Sequence, residues 1–231
     1  MRRVFGLVLL GLAALSLGGC GNNQSWNQKL TVTVDTPAGE VSGSAVTAIS
    51  WSKNFFSGGW GGASWHSAVK GEAVVVDLGS GKLLFALLSH SDSNDYIANL
   101  ATRLVMDTTD RAWSKAAFAG VRNLGEPTPV PPKLYPLLVT FADINDPKTV
   151  TKVDPANLAA SFGPGYVLKA IMLEVTAERV REGVLEKSLV WLPDYQKGNL
   201  MLNGERCFAC PVTSASIADM IGTGNFRLGA K

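Results

Sequence analysis

Three cysteines, two histidines and one glycine-rich aromatic stretch hold most of the chemistry this sequence could do. Cys207 and Cys210 form a CxxC within "RCFACP", a spacing that serves a redox centre, half of a metal site or a small structural disulfide. Zinc would need about two further ligands. There is no second cysteine pair, and His66 and His90 lie far away along the chain. A thioredoxin-like centre would set Cys207 at a helix N-terminus. Pro211 then falls where an N–H should bond back to the carbonyl of residue 207, and its ring clashes there instead. Nor is "NLMLNGER" the strongly apolar strand such a centre needs upstream. Paired thiols or a structural disulfide is the favoured reading, ahead of redox chemistry and then of metal. No metal and no cofactor are expected.

"SHSDSND" gathers His90, Asp92 and Asp95 between a strand and a helix. Carboxylates suit hard cations and His can act as a general base, so a cation site or a hydrolase site is one reading. The favoured one is a polar turn whose Ser and Asp residues cap the helix and suit its dipole. No calcium-loop pattern and no GxSxG elbow occur, and "GSGK" fails as a phosphate loop because Val76 and Leu83 stand where Gly and Ser or Thr belong. In "FFSGGWGGASW", Phe55, Phe56, Trp60 and Trp65 alternate with glycines, and His66 adjoins them. Aromatics on such a loop can stack on sugar rings, enter a membrane interface or dock on a partner protein. Alternatively they fold back over an open sheet, with the glycines allowing the close turn.

The elements that must position these groups read as α+β, a mainly antiparallel sheet built from hairpins with two or three helices. "KLTVTVD" alternates with period two, "TPAGE" turns and "EVSGSAVTAISW" returns. "EAVVVDL" and "KLLFALL" form a second hairpin about Gly79–Gly81, apolar enough to be buried on both faces. Ser93 or Asn94 can cap a helix through "DYIANLATRLVM", and another is expected across "DRAWSKAAFAGV", with Asp110 near its start and Trp113 in its apolar pattern. Five prolines in "GEPTPVPPKLYP" leave open whether it links domains or crosses within one. Strands are expected at "LLVTFADI" and at "YVLKAIMLEVT", the latter with Val167, Ile171, Leu173 and Val175 on one face. Between them, Asp154, Pro155 and Gly163 bound a short helix. Residues 177–192 fit neither period. "NLMLNG" suggests a last strand, "ASIADMI" a helical turn, and Trp191 a core residue.

The N-terminus speaks most clearly. Arg2 and Arg3 precede an apolar run from Val4 to Leu15, small residues lead to Cys20, and Asn22 to Ser25 are polar, the plan of a secretory signal. The run is shorter than the roughly 20 residues that span a hydrocarbon core. "LGGC" resembles the lipobox of bacterial lipoproteins, although Gly18 is less usual than Ala or Ser in its slot. That resemblance implies that Cys20 receives a diacylglycerol, becomes the new N-terminus and is acylated on its amine. Gly21, in place of an Asp, implies the outer membrane. Removing Met1–Gly19 takes two of the 21 basic residues and leaves them equal to the 19 acidic ones, so no basic stripe for nucleic acid remains. "LLVTFADINDPKTVTKVDPANLAASFGPG" is similar to segments of uncharacterised exported proteobacterial proteins, a likeness that implies no activity.

The expected organisation is a signal peptide over 1–19, a lipidated tether over 20–28 and one α+β domain over 29–231. The expected role is structural or binding, non-catalytic, at the periplasmic face of the envelope. Partners would be the membrane, through the lipid, and an envelope protein or glycan. The competing class is a periplasmic enzyme, either an oxidoreductase using Cys207 and Cys210 or a hydrolase using the His90 region.

Overall fold

The computed structural model describes residues 23–54, 64–90, 95–110, 113–206 and 216–229. Strands β1 (Asn23–Thr36) and β2 (Gly39–Asn54) form one long antiparallel hairpin, from Thr36↔Gly39 at the turn to Asn23↔Ser52 at the open end. Gly39 closes the turn at φ 121°, a conformation that side chains disfavour. Leu30, Val32 and Val34 are buried while the residues between them are not, as period two requires.

The strand starts at Asn23 rather than after a tether ending at Gln28. Its first residues keep the period with polar and aromatic side chains. Trp26 Nε1 donates to Gln28 Oε1 at 2.9 Å, and the buried Gln28 Nε2 donates to the Ile97 carbonyl at 2.9 Å. A buried amide that finds both partners can sit in a strand as an aliphatic does.

The hairpin is the centre of a six-stranded sheet ordered β10-β3-β2-β1-β9-β6. β3 (Ser64–Glu72) and β9 (Val167–Thr176) flank it, while β6 (Thr128–Pro129) and β10 (Arg227–Leu228) are short edges. The proline-rich segment therefore crosses within the domain: Thr128 pairs with Leu173, and Val130 N–H donates to the Ile171 carbonyl. Proline suits such an edge, where one side needs no ladder bonds. In β9 the register against β1 shifts between Thr33 and Val34, leaving Lys169 opposite no residue of β1 in the ladder. The shift turns Leu168 to the core side and Val167 outward, 57% exposed, so Val167 does not share the face of Ile171, Leu173 and Val175.

A second sheet, β4 (Val74–Asp77), β5 (Leu83–Ala86), β7 (Leu138–Phe141) and β8 (Val150–Lys152), is also antiparallel. It lies tight against the first. A Cβ on Gly43 of β2 would sit 2.0 Å from the Val75 carbonyl oxygen, so glycine sets the approach of the two backbones. Between the sheets lies an aliphatic core, including Val32, Val76, Leu84 and Leu138, joined by Phe85 and Phe226.

Helices α1 (Tyr96–Met106) and α2 (Lys115–Val121) cover the open end of the hairpin. α2 begins later than expected: Ser114 caps it by accepting from Ala117 N–H, and Asp110 and Trp113 lie ahead of it. α3 (Ala159–Phe162) ends at Gly163, φ 99°, as expected. Asp154 Oδ1 accepts from Ala156 N–H, but the turn it caps precedes the helix. The undecided segment is a loop, one 3-10 turn and the start of α4 (Leu192–Gly198), and α5 (Ile217–Met220) is a single turn. "NLMLNG" contributes only bridges, Leu200↔Arg206 and Met201↔Gly222. The described residues thus hold five helices rather than two or three in an α+β fold with antiparallel sheets.

The loop before α4 is locked by one buried carboxylate. Glu72, 3% exposed, accepts from the N–H groups of Gly183, Val184 and Leu185 at 2.6, 3.0 and 3.1 Å and pairs with Arg227 at 2.6 Å. Arg227 also donates to Glu186 at 2.5 Å. Burial alone would lower the Arg227 pKa, but these two carboxylates outweigh it and hold the guanidinium above its ordinary value.

Candidate functional site

Cys20, Cys207, Cys210, Phe55, Phe56, Trp60 and Asp92 lie outside the described residues. Trp65 and His66 do not sit in a loop: both belong to β3, paired with Lys53 and Ser52 of β2. β3 was hidden in the sequence because "SWHSAVKGE" follows a glycine run and holds few aliphatic residues. His66 is exposed, whereas Trp65 is half-buried, with its ring 5.0 Å from that of Phe118 on α2 and Lys53 Nζ 5.7 Å from its centroid.

Trp65 is one member of an aromatic group. Trp51 lies 5.3 Å from Trp113 and 6.1 Å from Phe118, and Trp26 lies 6.3 Å from Phe118. The sheet and the helices meet here through indole N–H groups. Trp51 Nε1 donates to the Ala98 carbonyl at 3.2 Å, and Trp113 Nε1 to Asn99 Oδ1 at 2.6 Å, while Asn99 Nδ2 donates to the Asp95 carbonyl. Trp113 is half-buried on this group instead of lying in the main core. Trp191 is in that core, as expected, and donates to the Ile144 carbonyl at 2.9 Å. Trp26 and Phe118 carry no local signal of a shared site. Only the strand register and the seat of α2 bring them together.

His90 stands at another place, its ring 5.9 Å from that of the buried Tyr96, in a depression of about 130 Å³ lined also by Pro132, Tyr135 and Lys152. Burial pushes the Tyr96 hydroxyl well above its ordinary pKa, and it donates to the Leu134 carbonyl. Asp95 occupies the N-cap position of α1, but its side chain makes no capping bond there.

The outer face of the first sheet carries small and polar side chains, among them Thr31, Thr33, Ser42, Ser44, Ser50 and Ala68. Two hollows open on it. One of about 570 Å³ is lined by Ser25, Asn27, Ala48, Ser50 and Lys70, and one of about 380 Å³ lies under the segment from Glu178 to Val184. In the second, Lys29 Nζ is 2.6 Å from Glu178 and 3.6 Å from Glu174, and Arg181 lies on the rim. The hydrogen bond to Glu178 holds the Lys29 ammonium above its ordinary pKa, against a smaller effect of burial. Amphipathic hollows of this kind suit a ligand with both polar groups and an apolar body.

Among the described residues, no helix is long and apolar enough to cross a membrane, and no group of three His, Cys, Asp or Glu residues could hold a metal ion. The chain matches no protein-family model, no curated protein and no solved structure to which it was compared.

Proposed function

We propose that this chain is a lipid-anchored protein of the bacterial envelope, facing the periplasm from the outer membrane, that works by binding a glycan or an envelope protein rather than by catalysis. The observation that carries the anchor is the order at the N-terminus: Arg2 and Arg3, an apolar run, "LGGC", then polar residues. Two or three acyl chains on Cys20 would make the attachment stable, where one chain binds only marginally. The binding role is supported by the outer sheet face, whose small side chains leave the two hollows open, and by Arg181, which lines one of them. Growth with a radiolabelled fatty acid tests the anchor. Label should enter the wild-type chain and be lost in Cys20→Ala, and label in neither chain, or equally in both, would refute it.

A further inference from the structure

If Cys20 carries the lipid, the point at which the chain enters the fold decides which surface meets the bilayer. β1 begins at Asn23, so only Cys20, Gly21 and Asn22 intervene, and an extended chain of that length reaches about 10 Å. Asn23 pairs with Ser52, and Ser52 and Lys53 pair with His66 and Trp65. These residues of β1, β2 and β3 therefore form one end of the sheet. The turn at Pro37 and Ala38 lies at the other end of the hairpin, about 40 Å away at the usual rise of a strand.

The two ends differ in chemistry. Residues 23–26, 50–54, 64–68 and 113–118 contain Lys53, Lys115 and His66 and no Asp or Glu. Among the described residues, carboxylates close to this end include Asp95 at the start of α1, Asp110 three residues before Trp113, and Glu178, which pairs with Lys29. This end also bears the half-buried Trp65 and Trp113. The far end carries Asp35, Glu40 and Lys169 in an exposed ion cluster. Indole rings with an apolar body and a polar edge favour the level of lipid headgroups, and lysines near an anionic leaflet add attraction.

We infer that the Asn23, Lys53 and Trp65 end of the first sheet is a docking surface for the phospholipid headgroups of the leaflet that holds the anchor, so that the hairpin stands away from the membrane with its Pro37 turn outermost. This rests on the lipid-anchor reading above. It assigns Lys53, Lys115 and Trp65 a role in orienting the domain on the bilayer, and it leaves the outer face of the sheet open to the periplasm.

The test places an environment-sensitive fluorophore on Ser67→Cys or on Ala38→Cys in the lipidated chain, with Cys207→Ser and Cys210→Ser. The chain is reconstituted in phosphatidylethanolamine and phosphatidylglycerol vesicles containing nitroxide-headgroup lipid. Quenching should be several-fold stronger at position 67 than at 38, and the ratio should fall in Lys53→Glu/Lys115→Glu and in vesicles without phosphatidylglycerol. Equal quenching at the two positions, or stronger quenching at 38, overturns the docking surface. A second preparation, in which a hexahistidine tag joined to Asn22 replaces residues 1–21, is held on nickel-chelating lipid. The same contrast there without acylation of the native chain would refute the anchor and keep the surface. Acylation without the contrast would keep the anchor and refute the surface. Circular dichroism of each variant separates loss of docking from loss of fold.

Discussion

The two hydrophobic groups of this molecule are built on different terms. Between the sheets, Val32, Val76, Leu84, Phe85 and Leu138 are fully buried, and their stabilisation scales with the apolar area removed from water. At the open end of the hairpin, Trp51 and Phe118 are buried while Trp26, Trp65 and Trp113 remain partly exposed, and indole N–H bonds to helix groups hold the assembly. The first group has no polar tip to place. The second must satisfy donors while facing water, which tryptophan does well because one end is apolar and the other is wet. The difference teaches that the core holds the fold by burial alone, whereas the aromatic end is a partly exposed surface pinned to α1 by indole hydrogen bonds.

Substitutions can break or sharpen that contrast. The largest effect is expected where charge is buried at the margin of the core. Glu72→Ala leaves Arg227 without one partner and three backbone N–H groups without an acceptor, and should cost about 3–5 kcal/mol in urea unfolding. Phe85→Ala, which removes a fully buried ring packed edge-to-face with Phe141 and Phe226, should fall in the same range of about 3–5 kcal/mol. At the aromatic end, Trp51→Phe removes the indole donor to the Ala98 carbonyl, which still accepts along α1, and should cost about 0.5–1.5 kcal/mol. Trp65→Ala should cost less than Phe85→Ala by thermal unfolding, because part of its ring already faces solvent. An equal loss for the two would erase the distinction between core and surface. The smallest effect is expected for Lys29→Met, whose exposed ion pairs should contribute about 0–1 kcal/mol.

Much of the frame was legible in the residues. The alternation of Leu30, Val32 and Val34 and the apolar strands about Gly79–Gly81 gave both hairpins, because burial of one face or two leaves a mark at period two or as a continuous run. The register shift at Lys169 left no such mark, since a bulge is chosen by the partner strand as much as by the bulged one. β3 was missed because its surroundings are rich in glycine and its outward residues are His66, Ala68 and Lys70, which have no strong strand preference. Of the candidate site, Trp65 and His66 could be singled out by composition. Their neighbours Trp26, Trp51 and Phe118 could not, because they come from β1, β2 and α2 and meet only when α2 seats on the sheet. The polar side chains of Gln24 and Gln28 also masked the true start of β1, and with it the short reach to Cys20.

Hydrogen–deuterium exchange of the acylated chain, compared between vesicles and detergent micelles, tests the account most directly. Residues 64–67 and 113–118 should exchange more slowly on vesicles of phosphatidylethanolamine and phosphatidylglycerol, while residues 37–42 at the far turn exchange alike in both. Slowing confined to the far turn, or no difference anywhere, would contradict a domain seated on its aromatic end.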